Sequence, residues 1–234
     1  VTRLTVVPDP EDLTRPAAEW LVAEMAAAIR VRGGCAVALA GGRTPEPVYR
    51  ELARSAAVDW TRVDVFFGDE RAVPPDHPES NYRMVSAALL SRVPIPAARV
   101  HRMEAERADR DAAAAEYELL LPFALDLLVL GIGPDGHTAS LFPGSDALDE
   151  RRRLVLPVVG AKPPADRLTI TPPVIEAARR VAVIAAGADK AAVVARAVEG
   201  PPAPKEVPAQ LARRGDWFLD RAAAARLAAG RVRA

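Results

Sequence analysis

The chain of 234 residues holds one cysteine and, apart from a large set of arginines, only the lysines Lys162, Lys190 and Lys205. A single cysteine excludes an intrachain disulfide framework, and the apolar run around Cys35 predicts a buried, inert thiol. There is no H-E-x-x-H, no cysteine pair and no closely spaced histidine pair, so no metal site is expected. No apolar run approaches the ~20 residues that span a bilayer, so no membrane partner is expected. The N-terminal residues lead into a short strand-like run and not a signal peptide, which makes a cytoplasmic protein the expectation. The 31 basic and 31 acidic residues balance, so no basic surplus points to nucleic acid and there is no acidic tail. Both G-x-x-x-x-G-K-[ST] and G-x-G-x-x-G are missing, which excludes a Walker loop and weakens any case for a dinucleotide. Ser140 lies outside any G-x-S-x-G, so a serine-hydrolase elbow is absent. Arginine and alanine are so abundant that one arginine or one alanine-rich helix says little, whereas a lysine is more informative.

Half of the chain is apolar, enough for a sizeable core in a single domain over 1–234. Short apolar runs alternate with segments of helical spacing. Strands are expected at 4–7, 35–40, 63–67, 99–102, 127–130, 154–159, 167–171, 181–186 and 217–219. Helices are expected after residue 17, from Pro45, from Ser80, over 104–121, from Pro172, after Lys190 and over 221–229, the last capped by Asp220. The alternation implies an α/β fold: an open, largely parallel sheet with helices on both faces.

Chemistry concentrates where strands end. Residues 126–143, DLLVLGIGPDGHTASLFP, read as a buried strand, a glycine-rich break containing Asp135 and His137, and a short helix from Thr138. The run from Cys35 ends in Gly41-Gly42-Arg43-Thr44-Pro45, where Pro45 opens a helix that Thr44 is placed to cap. Backbone N–H groups at such a turn favour an anion. The run 63–67 ends in the polar turn Gly68-Asp69-Glu70-Arg71, and 181–186 ends in Gly187-Ala188-Asp189-Lys190. These ends fall on one edge of the sheet, where open α/β folds bind ligands. Arg43, Arg71 and Lys190 are suited to neutralise a phosphate. His137, with an ordinary imidazole pKa near ~6.5, suits a base, and Asp135 is placed to orient it or hold a proton. His77 reads as a solvated loop histidine and His101 as structural. The class of chemistry is proton transfer or water activation on a phosphorylated small molecule.

The set 40–45, Gly68-Asp69-Glu70-Arg71, Ser80-Asn81-Tyr82-Arg83-Met84 and 131–143 resembles the 6-phosphogluconolactonase family. The resemblance extends through Lys162-Pro163-Pro164, Arg167, Pro208-Ala209-Gln210 and Trp217-Phe218-Leu219-Asp220. It implies a Rossmann-like fold shared with glucosamine-6-phosphate deaminases, hydrolysis of 6-phospho-D-glucono-1,5-lactone in the oxidative pentose phosphate pathway, and no cofactor or essential metal. His137 is then the base that activates water. Gly41 and Gly42 form the anion turn, and Arg43, Thr44, Arg71 and Lys190 hold the 6-phosphate, joined by Arg167. Asp69 and Asn81 bind sugar hydroxyls or shape the pocket. The expected state is a monomer or weak homodimer. The nearest alternative is a glucosamine-6-phosphate deaminase, expected to carry Asn-Glu-Pro shortly after its Asp-Gly-His, where this chain has Ser140-Leu141-Phe142-Pro143 and no acid. A non-catalytic sugar-phosphate sensor is the alternative of another class. It is expected to carry a DNA-binding helical module, for which a sheet starting at Leu4 leaves no room.

Overall fold

The apolar runs pair into two sheets in the computed structural model, which describes residues 2–161 and 163–228. Strands β1 (Arg3–Val7), β2 (Cys35–Leu39), β3 (Val63–Phe67), β5 (Leu127–Leu130), β8 (Arg180–Ala185) and β9 (Asp216–Asp220) form a six-stranded sheet in the order β1-β9-β8-β5-β2-β3. All of its neighbouring strands run parallel. Strands β4 (Asp69–Arg71), β6 (Val155–Val159) and β7 (Asp166–Ile170) make a separate antiparallel sheet in the order β4-β7-β6. The sequence implied one sheet; the second is a correction to that expectation.

Parallel strands require crossovers, and six helices among the described residues supply or flank them. They are α1 (Thr14–Arg32), α2 (Pro45–Leu52), α3 (Asn81–Ala88), α4 (Arg110–Leu120), α5 (Pro172–Ala177) and α6 (Ala191–Val198). Helix α2 packs against α1 and α3, while α5 and α6 both pack on the 3-10 turn Pro208–Ala212. The helical spacing of α1 is real: Leu21, Met25 and Ala28 face the core. Strand β5, four apolar residues in a row, is buried along its whole length and takes an interior place in the sheet. Burial of such side chains supplies ~1.5–3 kcal/mol each, so a central strand is where an all-apolar run gains most. Strand β1, with alternating exposure, takes an edge. Burial pushes the Cys35 thiol up to about 12, with Asp126 adding to the shift, as an inert core thiol requires.

Several expected elements change. The helix expected over 104–121 starts only at Arg110, because Asp109 accepts the Ala112 N–H at 2.9 Å and caps it there. The strand expected over 99–102 is one bridge, Val65 to Val100, following a 3-10 turn at Ala97–Arg99. The final helix does not form over the described part of 221–229. Asp220 accepts the Ala223 N–H at 2.7 Å, as a cap does, but it also accepts the Gly187 N–H at 3.1 Å, and successive turns follow. Lys162 and the end of that expected helix lie outside the described residues. Among the described residues no helix is long and apolar enough to cross a membrane.

Candidate active site

Strands β8, β5 and β2 are neighbours, and the turns at their carboxyl ends meet over one cavity of roughly 370 Å3. It is lined by Gly41, Gly42, Arg43 and Thr44 after β2, by Gly133 and His137 after β5, and by Asp189 and Lys190 after β8. Asp69 and Arg71 of β4, Asn81 of α3 and Arg167 of β7 close the opposite side. Every residue assigned to the site from the sequence lines this cavity except Asp135, which pairs with His137.

The β5 turn is shaped by close approach. A Cβ on Gly133 would lie 2.1 Å from the His137 ring, so only glycine leaves the imidazole its place. Gly136 has φ of 94°, a left-handed conformation that glycine adopts without strain. The Gly133 N–H donates to His137 O at 2.9 Å and closes the turn. Asp135 Oδ1 lies 2.6 Å from His137 Nδ1 and also accepts the His137 backbone N–H at 3.2 Å. Burial pushes the Asp135 carboxyl up, but the charge of His137 and these hydrogen bonds outweigh it and hold the carboxyl below its usual range. An ionised carboxylate only accepts, so in the neutral imidazole the proton sits on Nδ1 and leaves the lone pair of Nε2 free.

The short helix expected from Thr138 is absent. The Thr138 hydroxyl donates to Gly131 O at 2.8 Å, the Ser140 N–H donates to Thr169 Oγ1 at 3.1 Å, and Ala139 adopts φ of 49°. These tertiary bonds replace helical ones, and a left-handed residue interrupts any helix. Phe142 is turned back so that its ring centroid lies 5.0 Å from that of His137, with Arg167 5.7 Å over the same ring.

Thr44 precedes α2 as expected, but its side chain makes no cap hydrogen bond. Arg43 is exposed and has no ion-pair partner among the described residues. Lys190 pairs with Asp189 at 3.2 Å. Arg71 donates to the backbone carbonyl of Glu79, while its buried Nε has no hydrogen-bond partner among the described residues. Arg71 and Arg167 are direct register partners across β4 and β7. Like charges so placed repel. Burial pushes the Arg167 guanidinium down from its usual value, Asp69 opposes this, and Arg71 adds to it.

A buried network underlies this side of the cavity. Ser140 Oγ donates to Asp69 Oδ2 at 2.6 Å, and Asn81 Nδ2 donates to Asp69 O at 2.8 Å and to Asp69 Oδ1 at 3.2 Å. A Cβ on Gly41 would fall 1.8 Å from Asn81 Oδ1, so the β2 turn is fitted to this amide. Sequence reasoning did not single out Ser140, Thr169, Phe142 or Glu70. Glu70 carried no signal of its own, because the polar run Asp69-Glu70-Arg71 has no apolar alternation and reads as a turn. His77 and His101 stay outside the cavity; His101 Nε2 meets Asp64 of β3 at 3.0 Å and its ring stacks on Phe66.

Comparison with known proteins follows the same lines. A family model described as glucosamine-6-phosphate isomerases/6-phosphogluconolactonase matches residues 8–219. The 6-phosphogluconolactonase of Synechocystis sp. is 43% identical over 84% of this chain and 86% of its own length. That of Streptomyces coelicolor is 40% identical over 96% of this chain and 94% of its own. Among solved structures, the 6-phosphogluconolactonase of Trypanosoma brucei superposes with a TM-score of 0.87 at 31% identity, covering 97% of this chain and 99% of the other. A monomeric glucosamine-6-phosphate deaminase superposes with a TM-score of 0.82 at 23% identity, over 96% of this chain and 99% of the other, which is a likeness of fold.

Proposed function

We propose a lactonase reaction from one premise: the chain belongs to the glucosamine-6-phosphate isomerase/6-phosphogluconolactonase family. It hydrolyses 6-phospho-D-glucono-1,5-lactone to 6-phospho-D-gluconate as a cytoplasmic, single-domain enzyme of the oxidative pentose phosphate pathway. The observation that carries this reading is the Asp135–His137 pair, set beside a cavity lined by Arg43, Arg71, Arg167 and Lys190.

Nε2 of His137 takes a proton from water as its oxygen bonds to C1 of the lactone. The carbonyl electrons move to oxygen, giving a tetrahedral intermediate. When they return, the bond from C1 to the ring oxygen breaks, and the ring oxygen takes up the proton that the His137 imidazolium gives back, becoming the C5 hydroxyl and restoring the neutral base. Asp135 supports the imidazolium formed on the way. A δ-lactone is an activated ester, so one positioned base, worth about 10²–10⁴-fold, together with orientation is sufficient.

The 6-phosphate sits against the Gly41-Gly42 turn with Arg43, Thr44 and Lys190, and Arg71 and Arg167 complete the cationic wall. A phosphate there relieves the repulsion between these two like-charged register partners. Asp69 and Asn81 meet sugar hydroxyls. The stretch after the histidine, Ser140-Leu141-Phe142-Pro143, brings Phe142 and no acid to the imidazole, which favours the lactonase over the deaminase.

The test is a direct assay on freshly generated 6-phosphogluconolactone, following acid release above the spontaneous rate, beside glucosamine 6-phosphate with ammonia release. Acceleration of the first alone is expected. Ammonia release without lactone hydrolysis would overturn the assignment.

A further inference from the structure

The two faces of β4 have different partners. Successive strand side chains point to opposite sides. Asp69 and Arg71 reach the cavity, while Glu70 turns away and is 3% exposed. Its Oε1 accepts the backbone N–H groups of Arg71 and Asn81, both at 2.8 Å. Its Oε2 accepts the Tyr82 N–H at 2.8 Å and the Ser80 hydroxyl at 3.0 Å. A carboxylate offers about four acceptor sites, so this one is fully used. Asn81 and Tyr82 open α3, where N–H groups have no partner within the helix. A negative charge also suits that end of the helix. The stitch is returned from the other side, because the Asn81 side chain donates to Asp69 O and Oδ1.

We propose that Glu70 is a positioning residue that sets substrate affinity without touching substrate, by locking Arg71 and Asn81 into one arrangement. This rests on the lactonase reading, in which those two residues meet the substrate. His137 is held by a different set of bonds, from Gly133 and Asp135, in which Glu70 has no part. Loss of Glu70 is therefore read in KM and not in kcat.

The test is Glu70→Gln, which keeps the shape but turns one acceptor oxygen into a donor facing donors. KM for 6-phosphogluconolactone is expected to rise about tenfold, with kcat within about threefold of the parent, as for the loss of one or two hydrogen bonds to a charged group. Calorimetric affinity for the product 6-phosphogluconate should fall by the same factor, with circular dichroism confirming the fold. A folded variant with unchanged KM and product affinity overturns the proposal, as does a loss confined to kcat. If Glu70→Gln does not fold, Ser80→Ala decides: it removes one of the donors and should raise KM about two- to threefold, and an unchanged KM overturns the proposal. The calorimetry needs no turnover. A parent protein that binds 6-phosphogluconate but leaves the lactone untouched sinks the lactonase reading, while the affinity comparison still judges Glu70.

Discussion

One carboxylate oxygen, Asp135 Oδ1, holds both the ring and the backbone of His137, at 2.6 Å from Nδ1 and 3.2 Å from the main-chain nitrogen. Folding lowers the Asp135 pKa against the push of burial. A carboxyl depressed on folding contributes stability that is complete above its unfolded value, ~3.9, and is lost as pH falls through the lower folded value. Asp135→Asn should therefore melt below the parent near neutral pH, with the two midpoints converging as the pH is taken under about 4. The side chain is 51% exposed, so solvent screens the pair and the difference is small. A gap that persists unchanged into acid would mean that the pair acts through shape and not charge.

His137→Ala should lower kcat by about two orders of magnitude or more, the lower range of general-base catalysis. Calorimetric affinity for 6-phosphogluconate should be largely kept. Turnover near that of the parent, corrected for spontaneous hydrolysis, would remove His137 from the reaction.

Gly133→Ala tests the same base by crowding. The added methyl would lie 2.1 Å from the imidazole and 2.5 Å from Asp135 Oδ1, so the pair must move. Overpacking of this kind costs about 1–3 kcal/mol, which should appear as a lower thermal midpoint. The fall in kcat should approach that of His137→Ala. If kcat is normal in the folded variant, the imidazole works from another position.

Lys190→Ala should weaken binding of the phosphorylated lactone by about 1.5–3 kcal/mol, the worth of a hydrogen bond to a charged group. Glucono-1,5-lactone, which lacks the phosphate, should show no such loss. Equal losses for both would displace Lys190 from the phosphate.

The sequence exposed β5 and its turn because an all-apolar run ended abruptly in glycines. The cavity edge followed from the same pattern at β2 and β8. It concealed β4, because Asp69, Glu70 and Arg71 have no apolar member, and their strand pairing depends on β7, roughly a hundred residues away. It also concealed the left-handed Ala139, since alanine favours helix and the bonds that override this come from Gly131 and Thr169. The Asp64 partner of His101 lies 37 residues earlier, beyond any local pattern.

The guanidiniums of Arg71 and Arg167 are carried by the small antiparallel sheet, whereas His137 follows a strand of the large parallel one. Two of the cavity's cations thus stand on a different sheet from the imidazole, although both sheets share one hydrophobic core. On the proposed reading, substitutions of Arg71 and Arg167 reach the retained anion first, while Thr169 of β7 also ties the small sheet to the loop that follows His137.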